Sequence, residues 1–235
     1  MKSIFKCFGC VLFLGFIVLG CSEFADEKRY YSSSVLDYLF PDEKQPSVEE
    51  SPKTIDVPFN LGIAFVPDSG LAVLDEKLMN DLMVIFSDEF VKHDFVSSVE
   101  LIPSKNLKPK GGFANLDQIK SLYNLDVIVL IGYDQVQHTA EGVSTYLYWT
   151  WVGSYTVKGE KNDTNTLLDA TILDIENRKK LLHLTGTSHI KGSSTLVNLN
   201  EQLRNDSVNG FMQAGENLLS KLKLQLPTFL ENLDQ

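Results

Sequence analysis

Beyond residue 21 the chain has no cysteine. Cys7, Cys10 and Cys21 are the only three in 235 residues, so no disulfide, thiolate metal cage or cysteine nucleophile can form in the body of the protein. Proline and glycine are also sparse, at 8 and 15, which excludes collagen-like and low-complexity chains and leaves an ordinary globular composition. Positive charge is in deficit. Lys plus Arg is 21 against 31 Asp plus Glu, a net −10, and a field of that sign repels nucleic-acid phosphates and anionic membrane surfaces. Histidine is limited to His93, His138, His183 and His189, none of them spaced from another as a helical or turn metal site requires. His183 and His189 share one face of an expected strand but stand about 20 Å apart at ~3.3 Å per residue. No metal and no cofactor is expected.

The first segment reads as an address. Lys2 and Lys6 precede an apolar run from Phe8 to Leu19, and Val18-Leu19-Gly20-Cys21 leads into the polar Ser22-Glu23. A run of this length falls short of the roughly 20 residues that span a bilayer core, which favours cleavage over a permanent transmembrane helix. The tetrapeptide resembles a bacterial lipobox. That resemblance implies a signal peptide over 1–20, cleavage between Gly20 and Cys21, and acyl chains on the Cys21 thiol and the new N-terminus. A chain of 215 residues with a net charge of −12 would remain. Two or more acyl chains anchor stably, so the expected partner of Cys21 is a lipid bilayer. By resemblance to lipoproteins of double-membrane bacteria, Ser22 after the lipidated cysteine points to the outer membrane, with the chain facing the periplasm.

Residues 21–58 have the composition of a tether, with Pro41, Pro46, Pro52 and Pro58 among charges and serines. Within it the stretch 30–41 is too apolar to hang free. Val35, Leu36, Tyr38, Leu39 and Phe40 predict a short serine-capped helix or turn that docks on its own domain or is offered to a partner.

From Phe59 the pattern becomes regular. Leu61–Val66 reads as a buried strand, and Leu71, Leu74, Leu78, Leu82, Phe86 and Phe90 mark an amphipathic helix. Val96–Ile102 is a second strand, Leu116–Tyr123 a shorter helix, and Val127–Gly132 a third strand. That alternation implies right-handed crossovers and parallel strands. Thr145–Val157, Thr166–Ile175 and Lys180–Ser188 then read as antiparallel strands joined by polar loops, one of them Lys158–Asp163. The tail is expected to be a helix capped by Ser207 and stopped by Pro227. The expected fold is a single α/β domain, residues 59–226, built as a sandwich around one mixed sheet in the order βαβαββββα or βαβαβββα, with 227–235 as a C-terminal tail.

The body of the chain contains no self-sufficient catalytic signature. Gly153-Ser154 and Gly192-Ser193-Ser194 lack the context of a nucleophile elbow, and Lys110-Gly111-Gly112 reads as a turn. Rings are more informative. Tyr146, Tyr148, Trp149, Trp151 and Tyr155 alternate so that both faces of an expected strand carry them, and any ring left outside the core is a candidate binding surface. The candidate interaction residues are therefore Tyr38, Leu39, Phe40, Tyr148, Trp149 and Trp151.

With the lipobox, Ser32-Ser33-Ser34-Val35-Leu36-Asp37-Tyr38-Leu39-Phe40-Pro41, Leu61-Gly62-Ile63-Ala64-Phe65-Val66-Pro67 and Asp126-Val127-Ile128-Val129-Leu130-Ile131 in this order, the chain resembles the rhombotarget lipoprotein family. The resemblance implies an envelope lipoprotein associated with rhombosortase systems and brings no catalytic residues. The run Phe229–Gln235 lacks the Gly-Gly sorting segment said to occur in some members, so processing by a rhombosortase is not implied. The order of elements is also similar to curli-secretion lipoproteins and to the amino-terminal domain of the Tol-Pal translocation protein, which work through protein contacts. The expected function is a non-enzymatic interaction or assembly component of the bacterial envelope with a protein partner and no nucleic acid. A hydrolase of envelope polymer and an oligomeric, pore-type subunit are the alternatives.

Overall fold

The computed structural model describes residues 25–41, 55–67, 75–141, 160–194 and 198–231. Its strands are β1 (Ala25–Ser33), β2 (Phe59–Phe65), β3 (Val96–Ile102), β4 (Val127–Glu141), β5 (Glu160–Asp174) and β6 (Lys179–Ser194). Its helices are α1 (Val35–Leu39), α2 (Glu76–Phe90), α3 (Gly112–Tyr123) and α4 (Leu199–Glu231). All six strands form one mixed sheet in the order β3-β2-β4-β5-β6, and β1 pairs with β4. The α/β sandwich expected from the sequence is the observed architecture. No helix among the described residues is long and apolar enough to cross a membrane.

Two apolar layers hold the sheet. On one face Met79, Leu82, Met83, Phe86 and Phe90 of α2 join Phe211, Ala214, Leu218 and Leu222 of α4 over Leu61, Ile63, Val129 and Ile131. On the other, Val35, Tyr38 and Leu39 of α1 and Leu116 and Ile119 of α3 cover Ala64, Ile102, Ile128 and Leu130. Burial on both faces is why β2 and the first third of β4 read as unbroken apolar runs. Helix starts and ends follow local chemistry. The Asp75 side chain accepts from the Lys77 N–H at 2.9 Å to start α2, and Asn124, left-handed at φ 54°, ends α3.

β4 has different neighbours along its length. Val127–Ile131 runs parallel to β2, from Leu61↔Val127 to Phe65↔Ile131. From Tyr133 to Ala140 the same edge pairs antiparallel with β1, in the register Ser33↔Tyr133 to Ala25↔Ala140. β5 and β6 continue beside β4 throughout. The sheet thus has a proximal half, sandwiched by helices, and a distal four-stranded ribbon.

Several expectations need correction. Residues 25–33 lie in the sheet rather than in a tether, because an edge strand needs main-chain partners and tolerates charged side chains. Residues 160–163, expected in a loop, are the start of β5. Ser207 caps nothing: α4 begins eight residues earlier, and the Ser207 hydroxyl donates to Gln135 Oε1. Pro227 lies inside α4, which continues to Glu231. The N–H that proline lacks removes one hydrogen bond, and the buried Leu226 and Phe229 on either side keep the helix on the sheet. The expected strand Thr145–Val157, with Tyr148, Trp149 and Trp151, lies outside the described residues, as do Gly20, Cys21 and the rest of the lipobox.

Candidate functional site

In open α/β sheets ligands settle in the crevice at the carboxyl ends of the parallel strands, where successive crossovers leave in opposite directions. Here that point lies between β2, whose crossover leads to β3, and β4, reached from β3 by a crossover past β2. The chain's own N-terminal segment fills it. Ser33 Oγ accepts from the Tyr133 N–H at 3.0 Å, and α1 follows at once. Gly132 makes the approach possible: a Cβ there would stand 2.8 Å from the Ser33 carbonyl oxygen and 3.4 Å from the Val35 nitrogen.

The segment is locked from its other side by α3. Ser34 caps α1 by accepting from the Asp37 N–H at 3.3 Å. The Tyr38 hydroxyl donates to Asn115 Oδ1 at 2.9 Å, an atom that also accepts from the Lys108 N–H at 2.7 Å. Burial pushes the Tyr38 hydroxyl well above the usual tyrosine range, so it stays a donor. Phe40 meets Phe113 edge-on with centroids 5.7 Å apart. Of the candidate interaction residues, Tyr38 and Leu39 are therefore buried against their own domain and Phe40 is half-buried.

The distal ribbon presents two unlike faces because side chains alternate. Its inner face, under the first half of α4, is buried but polar. Gln135 Nε2 donates to Thr166 Oγ1 at 2.8 Å and to the Ser207 carbonyl at 3.0 Å, and Gln137 Nε2 donates to Thr164 Oγ1 and the Leu203 carbonyl, both at 2.8 Å. The buried Asp206 carboxylate accepts from the Asn162 amide and from Gln202 Nε2. Further along α4, Gly186 of β6 lets helix and sheet touch: a Cβ would meet the Ala214 carbonyl at 2.2 Å.

Among the described residues nothing covers the outer face. A groove of about 450 Å³ crosses β4, β5 and β6, lined by the side chains of Asp134, Val136, Asn165, Leu167, Thr187 and His189. Leu167 lies in its floor at 39% exposure. Histidine–aspartate pairs flank it on the same face. His189 Nε2 is 3.6 Å from Asp163 Oδ1, and His183 Nδ1 is 3.2 Å from Asp169 Oδ1 and 3.1 Å from Thr171 Oγ1. Partial burial raises the Asp169 carboxyl above the usual carboxylate range, while His183 and Lys180 pull it back.

Hydrogen-bonding groups around one apolar centre suit recognition of a ligand or partner surface. Among the described residues no three His, Cys, Asp or Glu side chains converge as a metal site. The sequence marks His183 and His189 only as histidines without metal-site spacing and does not group Asp134, Asn165, Leu167 or Thr187 with them. The signal was period-2 alternation across Tyr133–Glu141 and Glu160–Asp174, in which both faces carry polar residues.

No family model matches the chain, and no curated protein matches it. Among solved structures it is similar to a chain from Helicobacter pylori described as a neuraminyllactose-binding hemagglutinin homolog, at 12% identity and a TM-score of 0.39, over 74% of this chain and 89% of that one.

Proposed function

We propose that the protein is an outer-membrane lipoprotein facing the periplasm, anchored through Cys21, and that its domain acts by binding another envelope protein rather than by catalysis. One observation carries this reading: residues 33–41 fill the crevice where an open α/β sheet would take a small ligand, while no described residue covers the groove around Leu167. The lipobox and the rhombotarget resemblance support the location.

The test combines anchor and groove. Cys21→Ala should abolish incorporation of a fatty-acid analogue, since no other cysteine follows the signal. A photo-crosslinking residue at Leu167 should capture one discrete envelope protein in living cells, and one at the exposed Leu122 of α3 should not. Label on the Cys21→Ala chain, or identical cross-links from both positions, would refute the reading.

A further inference from the structure

β6 closes one border of the sheet, and no described strand pairs with its outer edge. Its main-chain directions follow from two hydrogen bonds on the far side of β4. The Val66 N–H donates to the Ile131 carbonyl at 2.9 Å and the Tyr133 N–H to Ser33 Oγ, so odd-numbered residues of β4 turn their N–H and C=O toward β2 and β1. Alternation turns the even-numbered ones toward β5. Carried across the register Asp134↔Leu167 and Leu168↔Gly186, it leaves Thr185, Thr187, His189 and Lys191 with their main-chain groups on the outer edge. One of these is sealed: Lys221 of α4 donates to the Thr185 carbonyl at 2.6 Å. Thr187, His189 and Lys191 are exposed, and by the same alternation their side chains share the face that carries the Leu167 groove.

We infer that the β6 edge from Thr187 to Lys191 takes an acidic, extended segment of the partner protein as an additional strand of the sheet. This deepens, and rests on, the reading of the domain as a binder of another envelope protein. Charge selects the occupant. Residues 179–194 carry Lys179, Lys180 and Lys191 and no Asp or Glu, a charge of +3 in a chain whose net is −10. No other described strand has a positive balance: β1 offsets Asp26 and Glu27 with Lys28 and Arg29, β2 has no charged residue, β3 has Glu100, and β4 and β5 are acidic. Lysines on an exposed edge discourage self-pairing, since two copies meeting there bring +3 against +3. An acidic strand meets the opposite field. It pairs its main chain along Thr187–Lys191, its alternate side chains project on the face of Leu167, and a carboxylate opposite Lys191 faces the ammonium group.

Alternation gives the test its signature. In the full-length protein, residue-resolved amide exchange should be fast at Thr187, His189 and Lys191 and slow at Ser188 and Ile190, whose main chain faces β5. A short synthetic peptide of alternating valine and glutamate should slow exchange at the first three alone, and the same peptide with lysine in place of glutamate should not. Lys191→Glu, a change on an exposed side chain, should weaken binding of the glutamate peptide roughly fivefold, because it exchanges a favourable cross-strand pair for a repulsive one. His189→Pro removes an outward N–H without breaking the ladder to β5 and should abolish binding. Slow exchange at the three positions before any peptide is added, slowing that follows protein concentration instead, or equal effects of the two peptides would overturn the inference; the second of these results would assign the edge to another copy of the chain. A Leu167 cross-link without edge protection would leave the groove standing and remove the added strand, and edge protection without a Leu167 cross-link would do the reverse.

Discussion

The two halves of the sheet share β4, β5 and β6 yet are held by different physics. In the proximal half the strands bury Ile128, Val129, Leu130, Ile131 and Ile172 between helices, so stability there comes from apolar area removed from water. In the distal half the residues facing α4 are Gln135, Gln137, Thr164 and Thr166, and α4 is seated by amide and hydroxyl hydrogen bonds. Such bonds add little net free energy but are costly to leave half-made, so they select one seating of the helix more than they stabilise it. A single strand can change from core material to a polar seam within two residues, at Tyr133–Gln135, without leaving the sheet.

The contrast is tested most severely by truncation in the proximal half. Leu130→Ala, in a side chain with no exposure, should destabilise toward the upper end of ~2–5 kcal/mol and lower the urea midpoint with little change in slope. Val136→Ala, half-buried on the open face of the same strand, should cost under ~1 kcal/mol. Equal losses would remove the distinction. Leu39→Ala in the docked segment should cost roughly 2–3 kcal/mol, since Leu39 is 5% exposed and packs in the α1–α3 layer. A fixed midpoint would mean that α1 contributes nothing to folding.

The polar seam calls for a cycle rather than a single change. Asp206→Leu leaves the buried Asn162 amide without its acceptor and should cost ~1–3 kcal/mol in urea unfolding, whereas adding Asn162→Leu should recover most of that loss. Additive losses would show that this seam is held by individual bonds, not by complementarity. The smallest expected effect concerns Asp169. Its folded pKa is raised, chiefly by burial, so its contribution to stability is fully present below the ordinary Asp value of about 3.9 and is lost as pH rises through the raised folded value. Asp169→Asn should therefore gain stability relative to the parent between acid and neutral pH, read as a growing difference in urea midpoint. A constant difference would place the carboxyl in water-like surroundings.

What could be read from the sequence follows the same division. Leu61–Val66, Val127–Gly132 and the α2 stripe Leu78, Leu82, Phe86 and Phe90 were legible because apolar periodicity and burial coincide there. Residues 133–141 and 160–165 were not, because Gln137, Asn162 and Thr164 occupy buried positions that patterning assigns to apolar residues. Strand β1 was hidden for the complementary reason: Asp26-Glu27-Lys28-Arg29 looks like linker, and its membership of the sheet depends on a ladder to residues a hundred or more positions away. The groove around Leu167 inherits that obscurity, since its lining comes from three strands whose distal halves carry no apolar signal.

The geometry of β1 also has a mechanical consequence. The strand enters at the tip of the ribbon and runs inward, ending at Ser33 and the α1 plug. Tension on the chain before Ala25, directed away from the tip, pulls β1 along its own axis. The hydrogen bonds from Ala25↔Ala140 to Ser33↔Tyr133 are then loaded together in shear instead of peeling open one after another. Behind them α1, wedged between α3 and the sheet, acts like the knot at the end of a thread, so force from the N-terminus is borne by the whole ladder before it reaches the core.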